Sequence, residues 1–298
     1  MEGNSTAFDS DSGRPEPGRG ARTYGGRAVH VHLPPGYDPA KRDRYPLLLM
    51  HDGQNLFERH VGSTGSAGSA GFAGAWHADE ILDRLVNTRQ IPAVVVAGIE
   101  HAGERRIAEF TPTPGRNADA GRARDYARLV LNEVLPGLAT DYHVRTDAAG
   151  LTLGGSSMGG LVTLWMALGH PGRFGRLIVM SPSVWWDDRV FLRRLEAKAF
   201  EPAPRVWLDV GKREGAIVLR DVRALRDVLR GDSRLHLKYV EEDDGDHSEV
   251  SWGRRLSDAL VWIYGAELPM TARLRPRSEP PPPSPRPALR RERSGGRG

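Results

Sequence analysis

The chain has 298 residues, 39% hydrophobic and 27% charged, enough to bury one large α/β core or two small ones. It contains no cysteine, which excludes a disulfide framework and thiolate metal sites. The formal charge of +4 belongs to the tail: residues 271–298 carry eight arginines and two glutamates, leaving a slightly acidic body.

Residues 1–23 are rich in Gly, Ser, Asp, Pro and Arg and read as a disordered leader. They lack a basic region followed by an apolar run, so no secretory signal is expected. With cysteine absent, a cytoplasmic location is expected too. No run approaches the roughly 18 apolar residues of a membrane helix, so no membrane span is expected. Residues 28–33 alternate as a strand that stops at Pro34-Pro35-Gly36. His30 and His32 share one face of it, which reads as a solvated or packed face before a metal pair. Residues 45–50 form a continuous apolar run, a strand covered on both sides, and lead straight into His51-Asp52-Gly53-Gln54. A Gly/Ser/Ala-rich stretch at 61–75 reads as a flexible insertion. Residues 76–87 then suggest a helix and 91–99 another buried strand. Residues 121–138 place Tyr126, Leu129, Val130, Val134, Leu135 and Leu138 on one helical face, closing near Pro136.

At 150–160 the pattern changes from strand to helix within a few residues. Leu151 to Leu153 are short, apolar and β-branched at Thr152, whereas Leu161, Leu164, Trp165 and Leu168 recur at helical spacing. Between them lies Gly155-Ser156-Ser157-Met158-Gly159, a G-x-S-x-G turn with Ser157 at its apex. Small flanking residues let that serine project from strained backbone at a helix N-terminus, where free N–H groups favour negative charge. Ser156 lacks the glycine two places on.

A strand at 176–181 follows, then a loop with Trp185 and Trp186, which either line an acyl or aryl pocket or pack beneath the loop. Residues 204–210 read as a strand, 215–229 as a helix, 235–240 as a strand, and the acidic run 241–246 precedes His247 and a last helix to Tyr264. Residues 269–298 read as a disordered Pro/Arg-rich tail. Without interleaved aromatics it carries no expectation of a nucleic-acid partner. The reading is thus a domain over 24–268, with a mostly parallel sheet and helices on both faces.

The motifs Gly-Gly-Ser-Ser-Met-Gly-Gly, His51-Asp52-Gly53-Gln54-Asn55-Leu56-Phe57 and Ser181-Pro182-Ser183-Val184-Trp185-Trp186 together resemble the putative-esterase family of α/β-hydrolases. That family includes siderophore esterases, feruloyl esterases, S-formylglutathione hydrolases and mycolyltransferases. The resemblance implies an α/β-hydrolase fold and a serine carboxylesterase working through an acyl-enzyme on a small ester, siderophore or other. It implies no metal and no organic cofactor. An acyltransferase, or a non-catalytic binding protein on the same fold, is the alternative. The family order is Ser, acid, His. Of the three histidines after Ser157, His170 caps a helix and His236 lies within a strand, which leaves His247 as the base. Asp209, inside its strand, and Glu214, in the loop beyond it, compete for the acid. Reach from the sheet edge favours Glu214, and the family's acid matches that position. The family's oxyanion hole maps onto the backbone N–H groups of Gln54 and Met158. Arg106 and Glu109 match an Arg-x-x-Glu segment of the family and are read as a structural ion pair.

Overall fold

The β-branched and leucine-rich runs of the sequence become the centre of one sheet. A computed structural model describes residues 21–57 and 75–265. The expected insertion at 61–75, all but its last residue, and the expected tail lie outside the described residues.

The strands are β1 (Ala21–Tyr24), β2 (Arg27–His32), β3 (Leu47–His51), β4 (Val95–Ile99), β5 (Leu151–Ser156), β6 (Arg176–Met180), β7 (Arg205–Gly211) and β8 (His236–Glu242). They order as β1-β2-β4-β3-β5-β6-β7-β8. β1 and β2, and β2 and β4, pair antiparallel; every later pairing is parallel. Alternation along β3 splits its side chains between two cores. Leu47 and Leu49 join Tyr126, Val134, Leu161 and Leu225 on one face, while Leu48 and Met50 join Leu82, Trp252 and Leu260 on the other. Both faces are therefore covered by helices, as a parallel sheet requires. Each fully buried leucine contributes about 1.5–3 kcal/mol relative to exposure.

The helices are α1 (Ala78–Asn87), α2 (Arg106–Phe110), α3 (Ala123–Leu129), α4 (Leu135–Asp141), α5 (Met158–Gly169), α6 (Trp186–Ala197), α7 (Ala216–Arg230) and α8 (Glu249–Tyr264). Several boundaries differ from the sequence reading, each for a local reason. β1 begins at Ala21, inside the segment read as leader, because its backbone finds β2 as a partner. α1 starts at Ala78, since His77 takes a left-handed φ of 53°. β4 starts at Val95, three residues past Pro92, whose ring has no N–H for a ladder. The expected closure near Pro136 does not occur. A π-helical turn over Val130–Val134 joins α3 to α4, and the chain runs helically to Asp141. A widened turn accommodates a proline that cannot donate to the preceding turn.

Candidate active site

β5 is buried along its whole length and ends at the turn into α5. Ser157 follows with φ 54° and ψ −120°, a conformation that costs a residue with a Cβ about 1–3 kcal/mol. Three backbone bonds hold it: Ser157 N–H donates to Met180 O at 3.0 Å, and its carbonyl accepts from Ser183 at 3.0 Å and Leu161 at 3.1 Å. The flanking glycines are needed for space. A Cβ on Gly155 would stand 2.9 Å from the backbone of Gly159, and one on Gly160 would stand 3.1 Å from Pro182. Met158 opens α5, so its N–H lies in the first turn, where helix donors have no intrahelical carbonyl.

Around the serine, loops from the C-terminal ends of β7 and β8 converge. His247 Nε2 lies 2.9 Å from Ser157 Oγ, and His247 Nδ1 lies 2.8 Å from Glu214 Oε2. Glu214 ends a single 3₁₀ turn, Lys212–Glu214, just past β7, and its side chain is fully buried. Asp209, the competing carboxylate, accepts from Trp207 Nε1 at 2.7 Å and from Arg255 Nε at 3.0 Å. Burial pushes its carboxyl up to about 6, and the Arg255 charge and Trp207 bond offset this only in part. Ser156 is the last residue of the strand and is buried, while Ser183 Oγ lies 3.2 Å from Ser157 Oγ. The other two late histidines stand where the sequence put them, His170 capping α5 and His236 at the start of β8.

The opposite wall is the turn after β3. Asp52 has a left-handed φ of 56° and leads into the 3₁₀ turn Gly53–Asn55, which contains Gln54. Gly53 sits so close to β4 that a Cβ there would stand 2.2 Å from Gly98. A Cβ on Gly159 would meet Asp52 Oδ2 and His51 at 3.3 Å, so this turn abuts the start of α5. The Gln54 side chain accepts from His101 N–H at 3.3 Å. Asp52 is gripped by Arg106 through Nε–Oδ1 at 2.7 Å and Nη2–Oδ2 at 2.8 Å. Burial alone would raise the Asp52 carboxyl, but the Arg106 charge and bonds outweigh it and hold the group below its usual range. This corrects the expected Arg106–Glu109 pair. Arg106 takes Asp52, and Glu109 takes Arg27 at 2.8 Å. Asn55 also reaches across to α8, donating to Glu249 Oε1 at 3.1 Å; burial pushes the Glu249 carboxyl up to about 7.

The two tryptophans divide. Trp186 donates its indole N–H to Thr113 O at 3.0 Å and is half-buried, which ties its loop to the neighbouring one. Trp185 is 42% exposed. The acidic run before His247 is largely neutralised: Glu241 pairs with Arg223, Glu242 with Arg255, Asp243 with Lys212 and Asp244 with Arg213. His30 pairs with Glu100 at 2.6 Å and His32 with Asp83 at 2.7 Å. No group of three or more His, Asp or Glu suited to a metal occurs among the described residues. No helix among them is long and apolar enough to cross a membrane.

Sequence reading missed Arg255 and Ser181. Arg255 had a signal, since it falls on the apolar face of α8 beside Trp252 and Leu256 and is itself buried. Ser181 had none beyond its place in the Ser-Pro-Ser motif.

The strand order, the strained serine at the end of β5 and the loops gathered over it define an α/β-hydrolase. The sequence profile of the family described as "Putative esterase" matches residues 21–263, and the chain belongs to that family, as a carboxylic ester hydrolase. It is 23% identical to the uncharacterised protein YbbA of Bacillus subtilis, over 81% of this chain and 94% of that one. It is 28% identical to the iron(III) enterobactin esterase of Escherichia coli K12, over 62% of this chain and 45% of the relative. The fold resembles the crystal structure of the Shigella flexneri enterobactin esterase FES with a TM-score of 0.63 at 24% identity, covering 81% of this chain and 56% of that one. The chain thus spans about half the length of these enterobactin esterases.

Proposed function

We propose that the protein is a serine esterase in which Ser157, His247 and Glu214 form the reacting triad. The observation that carries this reading is the unbroken hydrogen-bonded chain from Ser157 Oγ through the imidazole to a buried carboxylate. His247 Nε2 takes the hydroxyl proton as Ser157 Oγ bonds to the ester carbonyl carbon. The negative charge that moves to the carbonyl oxygen is held by the backbone N–H groups of Met158 and Gln54. The C–O bond to the alcohol then breaks, and the alkoxide leaves with the proton from His247. Water, activated by the same imidazole, releases the acid and restores Ser157. Glu214 stays ionised, fixes Nδ1–H and stabilises the imidazolium.

Four exposed apolar side chains, each close in sequence to a site element, favour an ester with an apolar or aromatic part. The exposed large apolar side chains among the described residues are Ile107, Trp185, Ile217 and Val250. Each follows a site element closely: Ile107 the Arg106 clamp, Trp185 the Ser183 loop, Ile217 Glu214 and Val250 His247. Esters that carry aryl groups, as catecholate siderophores do, suit exposed apolar side chains at these positions and accord with the enterobactin-esterase relatives. The test is hydrolysis of p-nitrophenyl acetate and butyrate, a feruloyl ester and a catecholate trilactone by wild type and Ser157→Ala. Turnover that survives in the variant excludes the triad; a preference for p-nitrophenyl acetate over both the feruloyl ester and the catecholate trilactone excludes the substrate class.

A further inference from the structure

Behind Glu214 lies a second layer of hydrogen bonds whose direction is fixed by chemistry. Ser181 follows β6, is fully buried and holds a left-handed φ of 45°. Its N–H donates to Asp209 O at 2.9 Å. A hydroxyl offers one proton and two lone pairs. Trp252 Nε1 and Arg255 Nη2 each lie 3.0 Å from Ser181 Oγ, and neither an indole nor a guanidinium can accept. Both lone pairs are therefore filled, and the one proton points at Glu214 Oε1, 2.5 Å away. The same carboxylate oxygen accepts Gly211 N–H at 2.7 Å, and Arg255 Nη2 stands 3.6 Å from it. Two donors thus converge on that one oxygen, with a guanidinium beside them. Its other oxygen is left for His247 Nδ1.

We propose that Ser181 is a positioning residue for ester hydrolysis: its hydroxyl, locked as a donor by Trp252 and Arg255, fixes Glu214 as an acceptor and thereby the tautomer of His247. This rests on the triad reading given above. Arg255 is itself aimed by Asp209 on Nε and by Glu242 Oε2 on Nη1, at 3.0 and 2.7 Å. Asp209, the rival for the acid, thus reaches Glu214 through Arg255 and Ser181. A serine needed only to fill space would not use all three hydrogen-bonding valences, nor hold a backbone conformation that a Cβ disfavours.

The test compares Ser181→Ala, Trp252→Phe and Ser157→Ala on a p-nitrophenyl ester across pH. Ser181→Ala should lower kcat about 10- to 100-fold with KM little changed, and raise the acid limb of kcat/KM by about one pH unit. The sign follows from linkage. Losing a donor that favours the anion makes the Glu214–His247 pair hold its last proton to higher pH. Trp252→Phe keeps an aromatic ring beside His247 but frees one Ser181 lone pair, and should shift the limb the same way by less; it carries the test if Ser181→Ala does not fold. An unmoved acid limb with kcat within twofold in these variants, whatever the melting temperature, overturns the proposal. An inactive Ser157→Ala beside that result leaves the triad standing, whereas an active Ser157→Ala removes the triad and this inference together.

Discussion

Two buried Asp–Arg pairs flank the strained serine, and they behave oppositely. Asp52 has a guanidinium fork of its own, two bonds from Arg106, and its carboxyl is held low. Asp209 receives only Nε of Arg255, whose other nitrogens serve Glu242 and Ser181, and the nearby Glu214 charge adds to the burial that pushes Asp209 up to about 6. Burial is similar in both places. What differs is the number of carboxylates sharing one cation. A private arginine clamps the turn that carries Gln54; a shared one is spread over the network behind Glu214.

The sharpest break in this picture comes at the residue both walls serve. Ser157→Ala should lower ester turnover by about 10⁴-fold or more with the melting temperature kept, because serine and base act as a unit. Ser156→Ala should be far milder, and an equal loss would put the apex one residue earlier. On the shared-arginine side, Glu214→Gln should cost about 10² to 10⁴ in kcat and move the acid limb of kcat/KM to lower pH, since the imidazolium loses its counter-charge. Asp209→Asn should instead lower the melting temperature by several degrees, with kcat within about tenfold of wild type. A stable but inactive Asp209→Asn beside an active Glu214→Gln would reverse the two roles.

On the private-arginine side the effect should be smaller and of a different kind. Arg106→Lys keeps the charge but loses the fork. It should lower kcat about tenfold through a displaced Gln54 turn, leaving the acid limb where it was. A moved acid limb would mean that the two walls are not separate. The smallest effect is expected at Glu249, which bridges to that turn through Asn55. Its folded carboxyl titrates near 7 against an ordinary 4.5, so the folded state binds the proton more tightly. Its contribution is complete below about pH 4.5 and is lost as pH rises through 7. The melting temperature of Glu249→Gln, less that of wild type, should therefore climb across that window. A flat difference would show that burial there is not felt.

Much of this organisation is local and was legible in the chain. The strand-to-helix switch at Ser157 and the alternation of strands with helices follow from periodicity, and the sheet bears them out; the strand ends do not, as β4 shows by starting at Val95. Partnerships between distant side chains do not follow from it. Arg106 and Glu109 stand three apart, a spacing that suits a helical ion pair, yet their partners lie 54 and 82 residues away. β1 has little apolar content and exists because β2 offers it a ladder. Pro136 signals a helix end only if no wider turn can absorb the missing donor. Ser181 and Arg255, 74 residues apart, meet only once β6 and α8 are assembled.

His247 follows β8, one of the two edge strands of the sheet among the described residues, none of whose positions is fully buried. Ser157, by contrast, rises from β5 in the middle of the sheet. An edge strand opens by local fluctuation at lower free energy than a central one. Warming should therefore detach the histidine before the sheet itself melts. Amide exchange along β8 would be faster than along β5, and activity would fade below the temperature at which far-UV circular dichroism changes. Cooling from that interval would restore turnover at once, because only the rim had opened.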